Sequence, residues 1–159
     1  MSEVTITRAG FESLEEALAI VNEYYEAVDV LVREDRDEFA HYYFREGSGF
    51  WLARSGSKVL GCIALRPLPF VGGHAPEEPC GEIKRLYVQP AWRGRRIADA
   101  LLDALHDYAR SAGYQWLYLD SKPDLETAFR FYLRRGYESC PRYNDNPQAT
   151  VFLRRRLWE

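Results

Sequence analysis

Along this chain the spacing of apolar residues changes period several times. Residues 4–9, VTITRA, alternate apolar and polar as a half-buried strand does. From 11 to 31 the period lengthens, and Leu14, Leu18, Val21, Tyr25 and Val28 recur at intervals of three and four, the stripe of an amphipathic helix. Residues 34–44 read as a second, shorter helix. Two strands follow, 49–54 and 58–66, around the turn SGSK. Residues 67–81 hold four of the eight prolines and three of the eleven glycines, which predicts a loop that orders when something binds. Beyond it the pattern predicts a strand over 82–88 and a helix over 95–111. That helix should carry Ile97, Leu101, Ala104, Leu105 and Tyr108 inward and stop near Gly113. A strand over 115–121, a helix over 124–136 ending at Gly136, and a last strand over 149–158 complete the pass. The order β-α-α-β-β-β-α-β-α-β implies a mixed α/β, or α+β, sheet covered by helices on both faces. There is no repeat or linker, so residues 1–159 read as one domain.

Composition narrows the class without naming it. At 159 residues, 47% hydrophobic and 28% charged, the chain can build a core of its own. Its acidic, alternating N-terminus is not a signal peptide, and no apolar run approaches the ~18 residues of a membrane span. Cys62, Cys80 and Cys140 are odd in number and far apart, with no zinc spacing, which points to reduced thiols, a cytoplasmic setting and no metal site. Net charge is −3, yet residues 82–105, EIKRLYVQPAWRGRRIADALLDAL, carry four arginines and a lysine at a strand-to-helix junction. Five basic residues and no acidic one lie between Ile83 and Ala98.

That junction has a physical use. The first N–H groups of a helix lack intrahelical acceptors, and its dipole favours an anion there. No side chain over 91–95 is an obvious N-cap; Gly94 permits close backbone approach, and Arg93, Arg95 and Arg96 add charge. A solvated basic turn is the plain alternative. A nucleic-acid contact is a third, opposed by a pI near 5.7 and the lack of a wider basic face.

The stretch RGRRIA, Arg93 to Ala98, after a strand and opening a long helix, resembles the acyl-CoA motif of the GNAT superfamily of N-acetyltransferases. Arg96 stands where that motif has its central glycine; a helical residue there needs no positive φ, so arginine is tolerable. About thirty residues on, AFRFYLRRGYE (128–138) is similar to the family's later helix. The resemblance implies a central, mostly antiparallel twisted sheet with a splayed parallel pair. It implies acetyl-CoA as co-substrate, bound by Leu86, Tyr87, Val88, Arg93, Gly94, Arg95, Arg96, Ile97 and Ala98. In the family, strand backbone pairs with the pantetheine arm, and an N–H near Val88 would face the thioester carbonyl. The resemblance also implies Glu82 as general base and Tyr132 as the acid that protonates the leaving thiolate. Glu82 would otherwise be a strand-end carboxylate facing solvent or pairing with Lys84. Tyr132 would otherwise be core, on a stripe with Phe129 and Leu133.

Other candidates have less behind them. His41, His74 and His106 lie in different elements, His106 on the exposed side of its helix. Ser48 lacks a nucleophile elbow. Cys80 has Glu77, Glu78 and Glu82 nearby to raise its pKa. Residues 11–46 hold eleven acidic residues against three arginines, a local charge of −8, which would suit a cationic amine or a merely solvated face. Tyr24, Tyr25, Tyr42, Tyr43 and Trp51 could line an acceptor pocket, although most should be core. The expected activity is N-acetylation of a primary amine, on a small molecule or a protein, by direct attack in a ternary complex. A catalytically silent acyl-CoA-binding module is the alternative. Neither nucleic acid nor membrane is an expected partner, and a homodimer is left open.

Overall fold

The computed structural model describes residues 3–28, 35–121 and 126–158. Two compact units divide it: residues 1–66 with 84–109, and residues 67–83 with 110–159. The strand β4, Cys80–Val88, contributes its first half to the second unit and its second half to the first.

In the first unit, β1 (Val4–Arg8) pairs antiparallel with β2 (Gly49–Ser55), and β2 with β3 (Lys58–Pro67). The turn forms at Ser55–Lys58, where Gly56 takes φ +60. β4 lies beside β3, with the Cys62 thiol donating to the Arg85 carbonyl at 3.1 Å. Helix α1, Leu14–Ala27, packs Leu14, Ala17, Ile20, Val21 and Tyr25 against Phe50, Leu52, Cys62 and Ala64. Leu18 and Val28, expected on that stripe, are half-buried, because Ala17 and Ile20 rotate the inward face toward themselves. The expected continuation to 31 lies outside the described residues. Helix α2, Arg36–Tyr43, begins where the Asp35 carboxylate accepts from the Asp37 and Glu38 N–H groups, both at 3.0 Å. Phe39 and Tyr43 carry it into the same core.

Helix α3, Ile97–Ser111, buries Ile97, Leu101, Leu102, Leu105, His106 and Ala109. His106 is therefore inside rather than exposed as expected, at 2% of its surface. Leu102, His106 and Ala109 are spaced four and three apart, so a second apolar line carries the imidazole inward. Ala104 and Tyr108 are half-buried at the edge of this face.

In the second unit, β5 (Trp116–Ser121) runs parallel to the start of β4, in register from Cys80–Trp116 to Glu82–Tyr118. It is antiparallel to β7 (Val151–Arg156), which also pairs with β6, a two-residue strand at Glu138–Ser139 that the hydrophobic pattern does not predict. Leu68, Cys80, Tyr118, Tyr143, Ala149 and Phe152 form a core cluster. Helix α4 spans Glu126–Arg134; the expected start at 124 lies outside the described residues. Within the proline-rich loop a Val71–His74 bridge forms, and the Gly72 N–H donates to the Tyr143 carbonyl at 3.1 Å. The strand order is β1-β2-β3-β4-β5-β7-β6, mostly antiparallel with β4–β5 as the parallel pair, which agrees with the expected fold class.

Candidate active site

After β4 the chain makes a short 3-10 turn over Pro90–Trp92, then a turn that ends at Ile97. Helix α3 begins two residues later than expected, so Arg95 and Arg96 belong to the turn. Arg96 has φ +61 and Gly94 φ +79. The expectation that Arg96 needs no positive φ is thus wrong. The left-handed conformation costs an ordinary L-residue roughly 1–2 kcal/mol. Arg96 immediately precedes the helix, and its carbonyl accepts from the Ala100 N–H at 3.1 Å. An arginine side chain has no acceptor to offer, so residue 96 supplies no side-chain cap to the start of α3.

Around these donors the side chains are cationic and exposed. Arg93 donates through Nε to the Val88 carbonyl at 3.0 Å, which ties the turn back to β4. Arg95 lies 4.7 Å over the Trp92 ring, and Lys58 stands 5.9 Å from the same ring. A Cβ on Gly94 would meet nothing within 4 Å, so its outward face is open. On β4, Tyr87 and Val88 are buried and Leu86 half-buried. The Tyr87 hydroxyl donates to Glu23 at 3.0 Å; burial and that carboxylate push the phenol up to about 12. A helix start with no side-chain cap from residue 96, a left-handed turn and three exposed guanidinium groups suit a pyrophosphate.

Glu82 is 1% exposed, which excludes the solvent-facing alternative. The Tyr143 hydroxyl donates to its Oε2 at 2.7 Å, and Asn144 Nδ2 reaches the same oxygen at 3.5 Å. Asn144 Nδ2 also donates to Asp120 at 2.6 Å, and Asn146 Nδ2 to the same Asp120 oxygen at 3.3 Å. Tyr143, Asn144, Asn146 and Asp120 were not expected. The only trace in sequence is YNDN at 143–146, a run of turn formers, and nothing there names a partner sixty positions away.

Tyr132 is 4% exposed on α4, with its ring 5.3 Å from Phe131 and 5.2 Å from Tyr137. The inward pair is Phe131 and Tyr132. Leu133, expected on the stripe, is 42% exposed, and Phe129 is half-buried.

Burial pushes the Cys80 thiol up to about 11, with Glu78 adding to it, which leaves a poor nucleophile at neutral pH. Ser48 is fully buried. Tyr25, Tyr43 and Trp51 are core, Tyr24 is half-buried and Tyr42 is exposed. Among the described residues no three His, Cys, Asp or Glu side chains group to hold a metal, and no helix is long and apolar enough to cross a membrane.

Residues 14–137 match the family model for the acetyltransferase (GNAT) family, and the chain belongs to that family, a class of acyltransferases. An uncharacterised N-acetyltransferase of Schizosaccharomyces pombe is 29% identical over 150 residues, covering 91% of this chain and 88% of that one. The chain spans about half the length of the N-acetyltransferase 8 relatives of rat and mouse that it also matches, 41–50% of each. Among solved structures, a GNAT acetyltransferase of Staphylococcus aureus superposes with a TM-score of 0.81 at 18% identity, covering 98% of this chain and all of that one. N-acetylglutamate synthase of Neisseria gonorrhoeae, complexed with coenzyme A and N-acetyl-glutamate, gives 0.76 at 21% identity, covering 100% of this chain and 36% of that one. At these identities the likeness concerns the fold alone.

Proposed function

We propose that this chain transfers the acetyl group of acetyl-CoA to a primary amine, of a small molecule or a peptide, by direct attack in a ternary complex. The observation that carries the reading is the turn from Arg93 to Ala98. It offers a helix N-terminus, an open glycine face and exposed guanidinium groups, in a chain whose family uses such a turn for acyl-CoA. Acetyl-CoA would supply the activated acyl group. Arg93, Arg95 and Arg96 would hold its phosphates, with the N–H groups of Ile97 and Ala98. Leu86, Tyr87 and Val88 would offer strand backbone; they lie on β4 beyond Glu82, the last residue in register with β5.

The chain's own chemistry is two proton transfers. An alkyl ammonium with pKa near ~10 must lose a proton before it attacks, and Glu82 takes it. Tyr132 returns a proton to the departing thiolate. A phenol packed between Phe131 and Tyr137 keeps its ring fixed while its hydroxyl acts. Cys80, poorly ionised, is left out, in keeping with direct attack rather than an acyl-cysteine. The three free cysteines accord with a reducing, cytoplasmic setting.

Calorimetry with acetyl-CoA and dephospho-CoA tests the donor. Acetyl-CoA should bind and raise the melting temperature, and dephospho-CoA should bind more weakly if the arginines reach the ribose phosphate. No binding at millimolar acetyl-CoA would end the reading. A screen of amine classes that follows thiol release then identifies the acceptor.

A further inference from the structure

A carboxylate as deep as Glu82 keeps its charge only if donors replace the water it has lost. Both donors described above converge on Oε2, the Tyr143 hydroxyl at 2.7 Å and the Asn144 amide at 3.5 Å. Two donors on one oxygen hold that oxygen in place. The short contact is the one from Tyr143.

The segment that delivers Tyr143 is braced throughout. Arg142 donates to the carbonyls of Asn146 and Ala149, each at 2.8 Å. The Asn146 N–H donates to Asn144 Oδ1 and the Gln148 N–H to Asn146 Oδ1, both at 3.1 Å. The Tyr143 ring packs at 5.0 Å on Tyr118 and 5.6 Å on Phe152. Groups that titrate or carry charge around it are Glu82 on β4, Tyr118 and Asp120 on β5, and Cys140 before the loop. Burial first, then Glu82 and Asp120, drive the phenol far above its ordinary range. It therefore stays a donor at any working pH.

From this geometry we infer that Tyr143 is a positioning residue for the reaction, aiming the Glu82 carboxylate, while Asp120 braces Asn144 as the second donor. The inference rests on the reading of Glu82 as base. In the step concerned, the ammonium N–H bond breaks, its electron pair stays on nitrogen, and the proton passes to the Glu82 carboxylate and then to solvent. Tyr143 keeps its own proton. It stabilises Glu82 before the transfer more than after it, so its loss should raise the proton affinity of residue 82 and leave the carboxylate misaligned.

The test uses the full chain and Tyr143→Phe. Glutamate labelled at the carboxyl carbon is followed by NMR against pH, the Glu82 signal being assigned by its loss in Glu82→Gln. Its midpoint should rise by about one pH unit in Tyr143→Phe, the size of shift one donor causes. With acetyl-CoA and the best amine of the thiol-release screen, plateau kcat should fall about tenfold and the acidic limb should move up with the midpoint. KM for acetyl-CoA should stay within about twofold, and adding Tyr143→Phe to Glu82→Gln should cost less than about twofold. If Tyr143→Phe does not fold, 3-fluorotyrosine at 143 keeps the ring and strengthens the donor, and the limb should move down instead. An unmoved midpoint, or full multiplicative losses in the double variant, overturns the inference while leaving the base reading intact. Wild-type turnover in Glu82→Gln sinks the base reading, and the inference with it.

Discussion

Arg93, Arg95 and Arg96 stand in solvent at the mouth of α3, while the Glu82 carboxylate is 1% exposed under Tyr143 and Asn144. The two places handle charge by different physics. At the turn, attraction comes from several exposed guanidinium groups and from backbone N–H groups, and salt within a Debye length of about 10 Å screens it. Each group there is replaceable in part by its neighbours. At Glu82 one buried carboxyl group accepts from named donors, and there the loss of one partner is felt in full. The turn should therefore be robust and salt-sensitive, and the carboxylate fragile and pH-sensitive.

The largest expected effect is at the fragile end. Glu82→Gln keeps the shape and removes the proposed base, so turnover at neutral pH should fall about a hundredfold to ten-thousandfold. It should recover in part near pH ~9–10, where free amine becomes abundant unaided. A fractional defect that is equal at every pH, read from kcat profiles, would make Glu82 a brace and remove half of the contrast.

Tyr132→Phe comes next. It keeps the ring against Phe131 and Tyr137 and removes one proton donor, so kcat should fall roughly tenfold to a thousandfold. Acetyl-CoA affinity, measured by calorimetry, should hardly change. Unchanged turnover in a chemistry-limited assay would return Tyr132 to the core.

At the robust end, Arg93→Ala with Arg95→Ala should weaken acetyl-CoA about tenfold to a hundredfold, each exposed, screened contact being worth about 0.7–1.4 kcal/mol. The loss should shrink as salt rises. Arg93→Lys separates charge from the tie to Val88, since an ammonium lacks the directed Nε donor. Affinity independent of salt would contradict an exposed phosphate site.

The smallest effect is on stability. Arg96→Gly relieves a left-handed arginine, roughly 1–2 kcal/mol, against a glycine entropy cost of about 0.5–1 kcal/mol. A net gain of about 0.5–1 kcal/mol should raise Tm by about 1–3 °C for a chain of this size. A fall in Tm would mean that the side chain itself braces the turn.

What could be read from sequence alone was whatever lies close along the chain. The spacing of Leu14, Val21 and Tyr25 specified α1, and the SGSK turn specified the β2–β3 hairpin. The run from Arg93 to Ala98 could be read as a candidate anion turn because all its parts are neighbours in sequence. Tertiary structure decided what depends on distant partners. Two residues at 138–139 carry too little pattern to announce a strand, and β6 exists because β7 supplies its ladder. His106 lies inside because packing chose a wider face of α3 than one apolar stripe indicates. Arg96 is left-handed because the chain must turn from β4 into α3 within a few residues, a demand set by where both elements pack. The surroundings of Glu82 come from residues 120, 143 and 144, which only strand pairing and a braced loop bring to it. Periodicity reports which side of an element is apolar; it carries no record of which polar groups will meet there, because that follows from the closure of long loops.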